Sequence, residues 1–234
     1  MKKSLSRHAS SATPPHFAIL AADVALFTIK DSTLLVRLIG VHRPPHFVDR
    51  EGLPGGLIDP AETAEEAAQR ILKTKTGLSL GHVYLEQLST FSAVNRDPRG
   101  RVVAVAYLAL VPWEALRATE QNGTPQNRWV DVEEARHLAY DHDTILHAAV
   151  ERLQSRVTHS TLIGRVMPKD FTLTELERAY ESIVKTSLDK RNFRKKILKL
   201  GVLKPLARKR VGGPFRPAQL YCFKSSKVQE IKVL

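Results

Sequence analysis

Between Phe17 and Val111 the apolar residues come in short, dense, β-branched runs. FAILAADVALFTI (Phe17–Ile29) and TLLVRLIGV (Thr33–Val41) flank Lys30-Asp31-Ser32, a polar triplet of turn composition, and predict two strands. VVAVAYLALV (Val102–Val111) is an unbroken apolar run of strand length, suited to the centre of a sheet. One amphipathic helix is expected among them, from about Ala61 to Thr76. Asp59-Pro60 would open it, with Pro60 placed where a missing N–H costs nothing, and Gly77 would close it. A second helix is expected over roughly Val132–Val157, broken near Tyr140–Asp143. Together these predict a mixed sheet with helices.

Beyond Phe171 the pattern changes. In TLTELERAYESIV, Thr172 and Glu175 have the spacing of a capping box, and Leu173, Leu176, Tyr180 and Ile183 make one apolar helix face. After a short KTSL, DKRNFRKKILKLG has an acidic cap, Asp189, and a terminating Gly201. Its Phe193, Ile197 and Leu200 are spaced to pack on the preceding helix. Two strand-like runs around a Gly/Pro turn follow. Helix, short turn, basic helix and basic hairpin is the order of a winged helix-turn-helix.

Charge divides the chain at the same place. The total is +12, yet residues 1–150 hold 16 Lys/Arg against 17 Asp/Glu, and residues 151–234 hold 20 against 7. Excess positive charge gathered in the last third is the footprint of a polyanion-binding module. No apolar run nears the roughly 20 residues that cross a bilayer. Cys222 is the sole cysteine, which fits a reducing cytoplasm, and MKKSLSRHASSATPP (1–15) reads as a flexible basic arm.

Candidate chemistry lies in LPGGLIDPAETAEEAAQRILKTKTGL (Leu53–Leu78). Gly55-Gly56 ahead of a helix can bring backbone N–H groups against phosphate oxygens. Gly56, Glu62, Arg70, Leu72 and Gly77-Leu78 keep the frame of the Nudix box. The acidic residues of that pattern are replaced by Ile71, Thr74 and Lys75. A divalent cation held by carboxylates is not expected here, and without it neither water activation nor leaving-group neutralisation is available. Glu66, four residues before Arg70, is spaced for an ion pair with it. Arg96, Asp97, Arg99 and Arg101 put three guanidinium forks and a carboxylate in one loop. They suit diphosphate oxygens or, alternatively, a surface salt bridge. Asp141-His142-Asp143 suits a hydrogen-bonded junction or pocket wall better than a metal site. Trp113 and Trp129 suit packing better than base stacking.

Over most of its length the chain resembles the NrtR family, the Nudix-related transcriptional regulators of NAD metabolism. The likeness is carried by the altered box, YLEQLSTFSAVNRDPRGRVVAVAYLALVP (84–112), LAYDHDTIL (138–146), FTLTELERAYESIV, LDKRNFRKKIL and RPAQLYCF. The resemblance implies an α+β, Nudix-like α/β/α sandwich domain (16–157) followed by a small winged helix-turn-helix domain (158–234). It also implies a homodimeric, cytoplasmic repressor of NAD synthesis or salvage genes that responds to ADP-ribose or a related nucleotide. The pocket is expected to use Gly55, Gly56, Glu62, Arg70, Arg96, Asp97, Arg99, Arg101 and His142, with no metal or other cofactor. Operator DNA is expected to meet Lys190, Arg191, Asn192, Arg194, Lys195, Lys196 and Lys199 on the basic helix. Arg208, Lys209, Arg210 and Arg216 at the wing, and Lys2, Lys3 and Arg7 on the arm, are expected to add contacts. Arg191, Asn192 and Lys195 are the candidates for base edges, Arg194, Lys196 and Lys199 for phosphates, and the wing and arm residues for the backbone or the adjacent minor groove. A Nudix hydrolase with an appended nucleic-acid-binding domain is the alternative.

Overall fold

The structure, a computed structural model, describes residues 17–210 and 217–234. In chain order its strands and helices are β1 (Ile19–Lys30), β2 (Thr33–Arg43), β3 (Phe47–Gly52), β4 (Gly55–Leu57), α1 (Ala64–Ile71), β5 (Tyr84–Phe91) and β6 (Val102–Leu110). Then follow α2 (Ala118–Asn122), β7 (Asn127–Asp131), α3 (His142–His159), β8 (Phe171–Thr172), α4 (Leu173–Val184), α5 (Lys190–Lys199), β9 (Leu203–Arg210) and β10 (Ala218–Phe223).

β1 and β6 run parallel through the middle of a seven-stranded mixed sheet of order β3-β2-β1-β6-β5, with β4 added to β1 and β7 to β2. Asp31 and Ser32, both at positive φ, make the tight turn between β1 and β2. Alternation along β1 decides what covers each face. Ala22, Val24 and Leu26 meet α1 through Ala67, Ala68 and Ile71. Ala25 and Phe27 point the other way, into a core with Ile145, Ala149 and Leu153 of α3. The result is the expected α/β/α sandwich.

Two helix boundaries differ from the sequence reading. α1 begins at Ala64, because Thr63 is the residue that caps it: its hydroxyl accepts from Glu66 N–H while Glu66 accepts from Thr63 N–H. A π-helical turn, Leu72–Thr76, then carries the chain to Gly77 at φ +74°. The expected helix over Val132–Val157 begins only at His142, because His137 and Tyr140 both adopt positive φ, which no helix interior tolerates. The break expected near Tyr140–Asp143 is therefore where the helix starts.

The last third is a winged helix. α4 is capped by Thr172 and Glu175, α5 by Asp189, and β8, β10 and β9 form a three-stranded sheet. Tyr180 of α4 meets Phe193 of α5 edge-on at 5.4 Å, and Leu176, Ile183 and Ile197 fill the same layer. These residues are continuous with the core under the Nudix-like sheet. The division expected at 157/158 falls in the last turn of α3, where Thr158 O accepts from Val233 N–H of the C-terminal segment.

Candidate ligand pocket and nucleic-acid interface

A cavity of about 430 Å³ opens beside β1 and β4. Its walls include Asp23, Arg43, Gly55, Gly56, Arg70, Lys75, Arg96, Asp97, Arg99, Tyr140 and His142. Seven of the nine expected pocket residues are thus brought together. Glu62 and Arg101 are not on its walls. Glu62 instead holds Arg70, at 2.9 Å from Nε and 2.5 Å from Nη2. That bond, with the Asp59 N–H, brings the Glu62 carboxyl down to about 2. Arg101 donates to Ser92 O and Ala93 O at 2.9 and 3.2 Å and so pins the loop before β6.

The expected phosphate cradle at the start of the box helix is not the arrangement found. Gly55 and Gly56 lie in β4, paired with Asp23 and Ala22, and α1 starts eight residues later with its first amides already capped. The helix meets the cavity at its far end, through Arg70 and Lys75. Gly55 is required by a close approach: a Cβ there would lie 2.2 Å from Asp23 Oδ1.

Behind the cavity is a buried ionic cluster. The Arg96 guanidinium donates to Asp23 Oδ2 at 3.0 Å and to both oxygens of Asp141 at 2.6 and 2.9 Å, with its side chain 3% exposed. His142 Nδ1 accepts the Leu53 N–H at 2.9 Å, which leaves the proton on Nε2, 3.7 Å from Asp23 Oδ1. Burial by itself would push the Asp23 carboxyl up. His142 and Arg96 together outweigh it and hold the group below the usual carboxylate value. Asp143 accepts from Leu138 N–H at 3.0 Å. Asp141 and His142 therefore tie the start of α3 to the pocket wall, while Asp143 holds the turn that precedes the helix.

Nearer the mouth, Arg99 grips the buried Asp97 through Nε and Nη2 (2.9 and 2.6 Å) and lies over the Tyr140 ring at 5.1 Å. Tyr140, at φ +59°, packs between Phe47 and His142 with centroids 4.5 and 5.1 Å away. Burial raises the Asp97 carboxyl and the Arg99 bonds more than reverse it. Trp113 and Trp129 pack edge-on at 6.3 Å against the α1 side of the sheet and do not line the cavity.

The three box positions where the Nudix pattern has acids offer a divalent cation no carboxylate. Ile71 is buried in the core, Thr74 Oγ1 donates to Arg70 O at 2.8 Å, and Lys75 brings a positive charge to the cavity. Glu66, expected to pair with Arg70, is used by the helix cap instead. Among the described residues no group of three His, Cys, Asp or Glu side chains is placed to hold a metal ion. The residues present do not fit one.

Sequence reading missed Asp23, Arg43 and Tyr140 as pocket walls. Asp23 carried a signal, being the lone carboxylate in an apolar strand. A larger cleft, about 1050 Å³, lies between the sheet and the winged helix. Of all the residues expected to bind a ligand or DNA, Arg210 alone lines it.

On α5, Lys190, Arg191, Asn192, Lys195, Lys196 and Lys199 are exposed, with Phe193 and Ile197 turned inward. Arg194 is half-buried: its Nη2 donates to Thr174 Oγ1 of α4 at 2.8 Å and its Nε is 3.9 Å from Glu177. At the wing Arg208 pairs with Asp170 at 3.0 Å and Arg210 with Glu175, while Lys209 has no carboxylate within 4 Å among the described residues. Lys2, Lys3, Arg7 and Arg216 lie outside the described residues. No described helix is long and apolar enough to cross a membrane.

The NUDIX domain family matches residues 19–151 and the NrtR DNA-binding winged helix domain matches residues 163–223. The ADPR responsive transcriptional repressor NtrR of Acinetobacter baylyi is 34% identical over 209 residues, 88% of this chain and 82% of that protein. The crystal structure of Shewanella oneidensis NrtR complexed with a 27mer DNA superposes with a TM-score of 0.77 at 32% identity, covering 88% of this chain and 93% of that one. The NUDIX domain of that NrtR complexed with ADP ribose superposes with a TM-score of 0.51 at 33% identity, over 61% of this chain and 94% of that one. With a NUDIX domain, the NrtR DNA-binding winged helix and a repressor relative 34% identical over 88% of its length, this chain belongs to the NrtR family.

Proposed function

We propose that this protein is a transcriptional repressor that binds operator DNA through α5 and the wing, and that it senses ADP-ribose or a related nucleotide in the cavity beside β4 without hydrolysing it. The regulated genes would be those of NAD synthesis or salvage. The working form would be a cytoplasmic homodimer, with residues 16–157 as sensor and 158–234 as DNA-binding domain. The observation that carries the reading is the replacement at the box: Ile71 is committed to the core and Lys75 lines the cavity. The cavity of about 430 Å³ is in the range of small-molecule sites, and the positions where the hydrolase alternative would need carboxylates to hold a metal do not supply them. The relatives' names support both ligands, since one is ADPR responsive and another was crystallised on a 27mer DNA.

The test has two arms. Full-length protein is titrated onto a labelled duplex from the promoter region of the NAD genes in its own genome, with and without ADP-ribose, at fixed salt. A shift that ADP-ribose reverses is expected. In parallel, ADP-ribose and excess Mg²⁺ or Mn²⁺ are incubated with the protein, and AMP is measured. Turnover at roughly 1 per second or faster would favour the hydrolase.

A further inference from the structure

Most cations around the pocket already have a carboxylate. Arg96 is held by Asp23 and Asp141, Arg99 by Asp97, and Arg70 by Glu62 with Asp59 at 3.7 Å. Arg43 and Lys75 line the same cavity, and neither has a carboxylate within 4 Å among the described residues. The segments outside the description, 1–16 and 211–216, contain no Asp or Glu to supply one. An incoming anion meets these two cations without a carboxylate to displace. At Arg96 it would have to displace carboxylates from a buried pair, which is strongly unfavourable.

We propose that Arg43 and Lys75 are the residues that grip the phosphate oxygens of a diphosphate-bearing nucleotide. Lys75 sits in the box where the family pattern has a metal-binding acid, and it supplies directly the positive charge that a bound cation would otherwise bring. Both are anchored through their own backbones or close neighbours. Lys75 O accepts from Asn127 Nδ2 at 3.0 Å in the π-helical turn, and Arg43, at the end of β2, donates to His42 O at 2.8 Å. Two monocations match the two negative charges of a diphosphate diester, and charge-assisted bonds of this kind are the strong ones. The cavity volume of about 430 Å³ is within the range of small-molecule sites. Arg96 and Arg99, the residues the sequence offered for this task, then shape the wall and do not hold the ligand's charge.

This assignment rests on the sensor reading above, and the experiment separates the two. Binding of ADP-ribose is measured by calorimetry in EDTA for the full-length protein and for Lys75→Gln, Arg43→Gln, the double variant and Lys75→Arg, at several salt concentrations. Each glutamine is expected to raise Kd about tenfold, and the pair about a hundredfold. Lys75→Arg should keep most of the affinity. The slope of log Kd against log salt should flatten in the glutamine variants, which a purely structural role would not cause. Both side chains are exposed, so melting temperatures should stay within about 2 °C of the parent. Affinities of both single variants within twofold of the parent would overturn the assignment and leave the sensor reading standing. No binding by the parent protein in EDTA would remove the sensor reading and the assignment with it.

Discussion

Arg96→Met tests whether the most buried arginine of the pocket is a ligand grip or the element that keeps the wall intact. Methionine preserves much of the length and removes the charge. Three hydrogen bonds disappear, at 2.6, 2.9 and 3.0 Å, and two carboxylates lose their shared cation. The Asp23 and Asp141 side chains are 7% and 18% exposed, so water replaces only part of what is lost. Breaking a buried pair by removing one partner costs about 3–5 kcal/mol. For a chain of this length each kcal/mol is worth about 2–4 °C in Tm, so a fall of roughly 6–20 °C is expected at pH 7.5. The pH dependence gives the sign. In the parent protein the Asp23 carboxyl lies below its ordinary value, so its contribution is present above pH ~4 and is lost as the pH falls through the folded value. In the variant the Arg96 contribution is gone while His142 still opposes burial, so the carboxyl moves up from its value in the parent. The two proteins then differ in this contribution above pH ~4 and converge as the pH falls below it. The Tm deficit should therefore persist from pH 7.5 to about pH 5 and shrink only as the pH falls below ~4, as scanning calorimetry of the two proteins would record. A deficit under about 2 °C at pH 7.5, or one that does not shrink below pH ~4, would refute the account of the cluster.

On the DNA face, Arg191→Ala and Lys195→Ala should each weaken operator binding by about 1–3 kcal/mol and leave ADP-ribose affinity unchanged; gel shifts with no loss for either would reject α5 as the reading helix. Arg194→Ala, by contrast, should affect Tm more than operator affinity, because its bond to Thr174 Oγ1 joins α5 to α4. Thr172→Ala should lower stability by about 1 kcal/mol, read from urea midpoints, since it removes the hydroxyl that caps α4. Ile71→Glu should not restore hydrolysis: a carboxylate placed in the core should lower Tm, more so at pH 8 than at pH 5, and appearance of metal-dependent AMP release would contradict the packing argument.

Much of this was legible in the sequence for a physical reason: period-2 and period-3.6 patterns report local structure, and caps report where helices begin. The strands β1, β2 and β6, the caps at Thr172 and Asp189 and the inward faces of α4 and α5 all came from such signals. The start of α1 did not, because Asp59-Pro60 and Thr63 compete as openings. Only the side-chain bond between Thr63 and Glu66 decides the matter. Nor did the state of the arginines. Residue type makes Arg43, Arg96 and Arg99 equivalent, yet Arg96 is neutralised by Asp23, 73 residues away, and by Asp141, 45 residues away. Whether a guanidinium is available depends on these long-range partners, which no spacing within a motif encodes.

Relief of repression by a nucleotide requires that the ligand bind two arrangements of the DNA-binding surface with different affinity. Differential affinity needs a structural element common to pocket and winged helix, and α3 meets that condition. At its start His142 lines the pocket and Asp141 holds the pocket residue Arg96. About 27 Å spans its 18 residues, and toward its far end Gln154 donates to Ile183 O of α4 at 2.9 Å while Leu153 and Val157 pack in the core that holds Tyr180. An α-helix bonded along its whole length does not absorb a displacement locally, and a close-packed core shifts between discrete packings more readily than it stretches. A diphosphate held as proposed by Arg43 and Lys75 would add negative charge to the cavity that Asp23 lines, and Asp23 shares Arg96 with Asp141 at the start of α3. On the proposed reading, the nucleotide at the pocket and the operator at the winged helix would therefore bias the same helix from its two ends.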